Sequence, residues 1–266
     1  MTIYSEDSQH LERENFVQVD KNLLNRIASE YHLKGAAPDM FIENTCQRYE
    51  LEWVVKKIGE GLSILDLGYG DGLFLEKIAR ENDLTLVEGS SELSEAAVTR
   101  AGELGLNVKI ITSLFEDFIP NSKFDVVIAS HVLEHVDNPN YLLTVIKSWL
   151  KPEGMLICIV PNRESLHRRL GVKMGLIKTL DELSARDLVV GHQRVYSYIE
   201  LEADLNLANF TILEKRGFFT KTLANSQMLG LTEDVIWGLC QLSEDLPFEM
   251  GANLGIIAVH GESISV

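Results

Sequence analysis

Residues able to do chemistry fall into two sets. The first is a glycine-rich stretch, Asp66-Leu67-Gly68-Tyr69-Gly70-Asp71-Gly72, which follows a short apolar run from Ile64 to Leu67. Glycine lacks a Cβ, so alternate glycines turn the backbone sharply and let a ligand lie against the main chain. The first amides of the helix starting near Leu73 are left unpartnered and point at that ligand. After the first strand of an α/β sheet, such a turn is where nucleotide-like cofactors bind. The dinucleotide pattern G-x-G-x-x-G would need glycine at residue 73, which is Leu73, and this counts against a nicotinamide dehydrogenase. Glu88 stands at the carboxyl end of the next strand, about twenty residues past the turn. An acidic side chain there can accept hydrogen bonds from both hydroxyls of an adenosine ribose; the plainer alternative is a solvated loop glutamate.

The second set is histidines. His192 sits in Gly191-His192-Gln193-Arg194-Val195-Tyr196, just ahead of a helix start, and His131 follows the fourth strand in His131-x-x-Glu134-His135. Histidine titrates near neutrality, so His192 is the first candidate for general base or substrate ligand, with His131 as the second catalytic candidate and Tyr196 lining the pocket. The alternative for His192 is a loop closed by a backbone bond. The cluster His131, Glu134 and His135 also has the spacing of a partial metal site that His192 could complete. Structural packing explains the same residues, and the reading adopted carries no metal.

The elements that must position these residues alternate in type. Residues 1–35 are polar and helix-compatible, with Leu23, Leu24, Ile27 and Tyr31 at helical spacing. They form either a helix packed on the domain or part of a cap over the site. A helix from Met40 to Lys57 puts Tyr49, Trp53 and Val54 on one face. Strands are predicted at 64–67, 84–88, 108–112, 124–129 and 155–160, with helices at 73–80, 92–104 and from Pro139 to about Leu150. Ser90 or Ser91 caps the second of these helices, and Pro139 takes the first helical position of the third. Residues 162–196 interrupt the alternation. A capping box, Ser197-x-x-Glu200, then opens a helix, and strands near 211–219 and 254–260 complete the sheet. The expected fold is α/β, a doubly wound, mostly parallel seven-stranded sheet. The expected division is an N-terminal helical cap at 1–40, a core at 41–161, a substrate-cap insert at 162–196, and a C-terminal half at 197–266 with a helical insert at 222–250.

The chain has 266 residues, 45% of them hydrophobic, and a formal net charge of −16. Phosphate backbones are bound by excess Lys and Arg, so nucleic acid and anionic membrane surfaces are disfavoured and a small-molecule partner is favoured. No apolar run approaches the ~20 residues of a membrane span, and no secretory signal is visible. Cys46, Cys158 and Cys240 are too scattered for a disulfide framework or a zinc site. A reducing cytoplasm is the simplest location. One basic cluster stands out: Arg163, His167, Arg168, Arg169, Lys173 and Lys178. It is either a solvated helix face or an attractor for a carboxylate- or phosphate-bearing substrate, with Arg163 and Arg168 as ligands.

Several motifs in order give a resemblance. D-x-G-x-G-x-G at Asp66–Gly72, Phe124-Asp-Val-Val, Leu-Glu-His-Val136, Leu150-Lys-Pro-x-Gly154 and Val160-Pro-Asn162 resemble the pattern of class I S-adenosylmethionine (SAM) methyltransferases. Within them the chain is most similar to small-molecule enzymes of the quinone-biosynthesis O-methyltransferase type and their natural-product relatives. The resemblance implies SAM as cofactor and strand order 3-2-1-4-5-7-6 with strand seven antiparallel. It implies that Arg48 meets the methionine carboxylate, and that Tyr69, Gly89, Ser90 and Ser130 join Asp66, Gly68, Gly70, Gly72 and Glu88 around the cofactor. Leu114 and Phe115 either sandwich the adenine or are core residues. In the quinone-type enzymes a divalent ion has been associated with the Glu and His of the 131–135 cluster. The chain departs from the pattern at Tyr69 (commonly Cys), at Glu153 (commonly Gly) and at Ser113, where an acid often holds the adenine amine. The implied activity is methyl transfer to a small molecule, with oxygen ahead of nitrogen as acceptor. An N-methyltransferase acting on an amino sugar or peptide-like metabolite, and a non-catalytic SAM-binding regulatory domain, are the alternatives.

Overall fold

The structure, a computed structural model, describes residues 21–29 and 38–260. Tyr31, the stretch 30–37 and most of the expected N-terminal cap lie outside the described residues. The elements, in chain order, are α1 (Lys21–Ile27), α2 (Met40–Lys57), β1 (Ser63–Leu67), α3 (Leu73–Ala79), β2 (Asp83–Glu88), α4 (Ser91–Leu104), β3 (Val108–Thr112) and β4 (Phe124–Ser130). There follow α5 (Pro139–Trp149), β5 (Leu150–Pro161), α6 (Leu166–Lys173), α7 (Ala185–Val189), α8 (Tyr198–Leu207), β6 (Phe210–Phe218), α9 (Glu233–Leu242) and β7 (Asn253–His260). The strands form one sheet in the order β3-β2-β1-β4-β5-β7-β6, with β7 antiparallel to both of its neighbours.

Strand side chains alternate between faces, and each face is covered. Leu65, Leu67, Val127 and Cys158 pack with Leu142, Ile146 and Trp149 of α5 and Leu201 and Leu205 of α8. Ile64, Val126, Ile128 and Ile157 pack on the other face with Val54 of α2, Ile78 of α3, Ala97 of α4 and Cys240 of α9. Burial on both faces is why β4 and β5 read as near-continuous apolar runs. Polar side chains set the helix starts. The Ser90 hydroxyl accepts from the Leu93 amide at 3.3 Å, opening α4, and Ser197 and Glu200 form the full capping box of α8. Among the described residues no helix is long and apolar enough to cross a membrane.

The segments outside the alternation differ in where they go. α1 lies against the carboxyl edge of the sheet: Asn25 Oδ1 accepts from the Ser90 hydroxyl at 2.8 Å and the Ser91 amide at 3.1 Å. The 162–196 segment crosses the same edge beyond β5. The C-terminal insert divides. Residues 222–227 stay at that edge, whereas α9 packs on α2, with Trp237 edge-on to Tyr49 at 5.1 Å.

Candidate functional site

Two cavities open at the carboxyl edge of the parallel strands, of about 600 and about 580 Å³. Gln47, Asp71, His131, His135 and Val190 line both, so the cavities meet there. Position follows from topology: α/β sheets bind ligands beyond the carboxyl ends of their strands.

The first cavity is built on the glycine turn. Asp66, Gly68, Tyr69, Gly70, Glu88, Gly89, Ser90, Leu114, Phe115 and Ser130 all line it, and Leu24, Ile27 and Ala28 of the N-terminal segment roof it. Gly72 supports the turn from behind. Its φ is +74° and a Cβ there would lie 2.5 Å from Tyr69 Oη, so glycine is strongly favoured. Glu88 braces the turn with both oxygens, accepting from the Tyr69 amide at 2.8 Å and the Ser90 amide at 2.7 Å. Each carboxylate oxygen keeps a second lone pair for a ligand hydroxyl. Burial, with the Glu88 carboxylate nearby, pushes Asp66 up to about 8. Glu116 lines this wall, and burial raises its carboxyl above the usual range; Ser113, which departs from the common acid, is not on it.

Arg48 is not brought to this cavity. It lies on the outer side of α2, where it pairs with Glu233 of α9, with 45% of its side chain exposed. The preceding residue, Gln47, faces both cavities. On a helix, adjacent residues point about 100° apart, so a one-residue displacement decides which side chain faces inward.

The second cavity holds His192. Asp187 is the third residue of α7, and its Oδ2 accepts from the Ser184 amide at 2.7 Å to complete a capping box. The helix ends at Val189, and Gly191, with a φ of +84°, turns the chain back. His192 thereby returns to the helix: its amide donates to the Asp187 carbonyl at 2.8 Å, and its Nδ1 lies 3.0 Å from Asp187 Oδ1. Burial would raise the Asp187 carboxyl, but the His192 and Ser184 contacts outweigh it and hold it well below the usual range. An ionised Asp187 at Nδ1 fixes the tautomer with Nδ1–H and leaves Nε2 free to accept a proton.

His131 is a different kind of histidine. Its Nε2 lies 3.1 Å from Glu50 Oε2 and its Nδ1 3.3 Å from Glu134 Oε1, the latter an ion-pair distance without hydrogen-bond alignment. Both carboxylates are fully buried. Burial alone would lower the imidazole, but the two acids outweigh it and raise it well above the ordinary histidine value. Held as the cation between two carboxylates, His131 has no ring nitrogen left to take a proton. It therefore stands at the junction as a structural cation rather than as the base expected of it. Burial pushes neighbouring His135 down to about 4, so it is neutral. The three histidines thus stand in three different surroundings.

Glu134, His135 and His192 offer ligand atoms within 4.8 Å of one another, a donor set that suits a transition ion.

The remaining expected substrate residues are placed elsewhere. Tyr196 is buried in the core below α8, donating to Asp204 at 3.2 Å, and lines neither cavity. An aromatic next to a buried strand end packs inward, and Tyr196 bridges to Asn162. Arg163 pairs with Glu200 at 2.7 Å, outside both cavities. Arg168 does line the second cavity, but its guanidinium is occupied by the carbonyls of Leu180 and Glu182 and by Asp187 at 3.5 Å. The sequence reading missed Asp187, Glu50, Gln47 and Glu116. Asp187 had a signal in Ser184-x-x-Asp187 ahead of Gly191. Glu50 had one too, as an acid on the apolar face of α2.

Comparison with known proteins follows the same lines. The family profile described as "Methyltransferase domain" matches residues 41–215. The chain is 32% identical over 124 residues to a ubiquinone biosynthesis O-methyltransferase of Caulobacter vibrioides, covering 46% of this chain and 49% of that protein. The chain spans about half the length of the curated relatives it matches. Among solved structures it is similar to a possible histamine N-methyltransferase from Thermotoga maritima, with TM-score 0.59, 20% identity, and 90% and 98% of the two chains covered. It is also similar to the plantazolicin methyltransferase BpumL in complex with a triazolic desmethylPZN analog and SAH, with TM-score 0.52, 19% identity, and 89% and 90% covered. At these identities the structural likeness is one of fold.

Proposed function

The chain belongs to the class I SAM-dependent methyltransferases, and from that premise we propose that it methylates a hydroxyl group of a small-molecule acceptor bound in the second cavity. SAM is the methyl donor of the family. In this reading it occupies the first cavity, its ribose on Glu88, its adenine between Leu114 and Phe115 with Glu116 near the amine edge, and its sulfonium toward the shared wall at Gln47, Asp71 and His131.

Methyl transfer from a sulfonium is an in-line displacement. The nucleophile enters from the side opposite the departing sulfur, so donor and acceptor need adjoining chambers with a common opening. An alcohol or phenol also loses a proton as it attacks, and a base within reach lowers that barrier. The observation that carries the oxygen reading is the Asp187–His192 pair, whose Nδ1 is fixed at 3.0 Å and which faces the acceptor cavity. The name of the Caulobacter relative points the same way. A neutral amine needs no such base.

The test is methyl transfer from labelled SAM to a panel of hydroxylated and amine-bearing small molecules, with wild type and His192→Ala. Methylation of hydroxyls, lost in the variant while SAM binding persists, supports the proposal. Methylation confined to amines and indifferent to His192 would sink it in favour of the nitrogen alternative. Binding of SAM with no turnover on any acceptor favours the regulatory alternative.

A further inference from the structure

Three fixed cations line the acceptor cavity: Arg168, Arg186 and Lys221. Arg168 is committed to Asp187 and two carbonyls. Arg186 pairs with Asp39 and, at 2.7 Å, with Glu43. Lys221 differs from both. Among the described residues its ammonium makes no ion pair and no side-chain hydrogen bond. Glu43 and Asp187 act on it only at longer range, and burial outweighs them, lowering it from the usual lysine value.

The backbone puts it there by an unusual turn. β6 ends at Phe218, and Phe219 takes φ +60°, a left-handed conformation that a bulky side chain seldom adopts. The strain is locked in by three bonds: Ala252 N to the Phe219 carbonyl at 2.9 Å, Thr220 N to the Leu239 carbonyl at 2.9 Å, and Lys221 N to the Phe219 carbonyl at 2.8 Å. Backbone strain that the surroundings over-determine is concentrated at working sites. Here it delivers a cation without a direct partner to a chamber whose walls combine Leu170, Met174, Ile177, Val195 and Phe219 with the ion pairs of Arg168 and Arg186.

We propose that Lys221 is the anion anchor of the acceptor site, and that the acceptor is a largely apolar small molecule bearing a carboxylate. The inference rests on the small-molecule methyltransferase reading and narrows its substrate class. A carboxylate fits better than a phosphate. One ammonium pairs with one charge, and the two arginines are already engaged by Asp187, Asp39 and Glu43, whose three carboxylates would repel a second ligand charge. A dianion would keep a buried charge without a partner, which low-polarity surroundings penalise heavily. A partly apolar wall carrying a few placed polar and ionic groups is also the usual form of a small-molecule site.

The test uses the full chain loaded with S-adenosylhomocysteine. Hydroxylated aryl and alkyl carboxylic acids are titrated by calorimetry against their matched primary amides, which keep the shape and lose the charge. Acids are expected to bind at least about tenfold more tightly than their amides, a charge-assisted contact being the stronger one. Lys221→Met should abolish that preference while S-adenosylhomocysteine affinity, measured by titrating it into the unloaded variant, stays within about twofold and reports a folded variant. Equal binding of acids and amides, no acid binding to the loaded wild type, or acid preference that survives Lys221→Met would overturn the proposal. The comparison of acid with amide in the wild type needs no variant. Because the readout is binding, it separates from the oxygen question. Lys221-dependent acid binding by a protein that methylates only nitrogen would defeat the hydroxyl reading and leave this one standing.

Discussion

Nδ1 of His192 and Oδ1 of Asp187 lie 3.0 Å apart across the turn at Gly191, and the same carboxylate caps the helix from which His192 returns. One side chain therefore both starts α7 and orients the histidine. His192→Ala is expected to lower kcat for a hydroxyl acceptor by about 10²-fold or more. Asp187→Asn, which keeps a cap but loses the charge, should cost about tenfold in kcat with KM for SAM little changed. Steady-state kinetics on both variants checks this, and unchanged kcat in both would remove the base.

The clamp on His131 predicts an alkaline loss of stability. Its folded-state value is raised above the unfolded one, so the pairing with Glu50 and Glu134 contributes fully below about pH 6.5. The contribution falls as pH rises from there toward the raised folded value, by up to about 1.4 kcal/mol per pH unit. His131→Gln removes the cation from two buried acids, of which Glu50 keeps the Asn253 amide at 2.6 Å, and should cost about 3 kcal/mol at pH 6. Urea unfolding of both proteins at pH 6 and pH 9 measures the gap, which should narrow at the higher pH. A gap that does not change with pH is incompatible with a charged His131.

At the glycine turn, Gly72→Ala combines a positive φ with a steric clash. The left-handed backbone costs roughly 1–2 kcal/mol for a residue with a Cβ, and the new methyl meets the Tyr69 ring. Gly72→Ala should lower thermal stability and SAM affinity together. Adding Tyr69→Ala should restore the part of the stability lost to the clash and leave the backbone part. Melting curves of the single and double variants separate the two contributions.

Arg48 and Gln47 make a paired prediction on one helix. Arg48 forms an exposed ion pair with Glu233, a type of contact worth about 0–1 kcal/mol. Arg48→Ala should leave SAM affinity within about twofold, whereas Gln47→Ala, at the wall shared by the cavities, should weaken it several-fold. Calorimetry decides between them. The reverse order would restore Arg48 to the methionine end of the cofactor.

Local signals in the sequence carried much of this far. The glycine turn, Glu88, the Pro139 start and the Ser197–Glu200 box each act within a few residues, so their types and spacing already determine the geometry. The order of strands follows from the resemblance of those motifs to a family. What escaped were pairings between distant segments. Glu50 and His131 meet across 81 positions, and nothing near either residue announces the other. Lys221 gains its meaning only because Arg168 and Arg186 are engaged by residues on other elements. Tyr196 failed for the converse reason: a motif places a residue along the chain but does not say toward which layer it turns.

The roof of the donor chamber also bears on the acceptor chamber. Ile27 of α1 packs so closely on Gly191 that a Cβ there would come within 2.9 Å of its terminal methyl, and the next residue is His192. α1 is moored to the start of α4 through Asn25. The helix that roofs one chamber is thus in direct contact with the turn that carries His192 in the other.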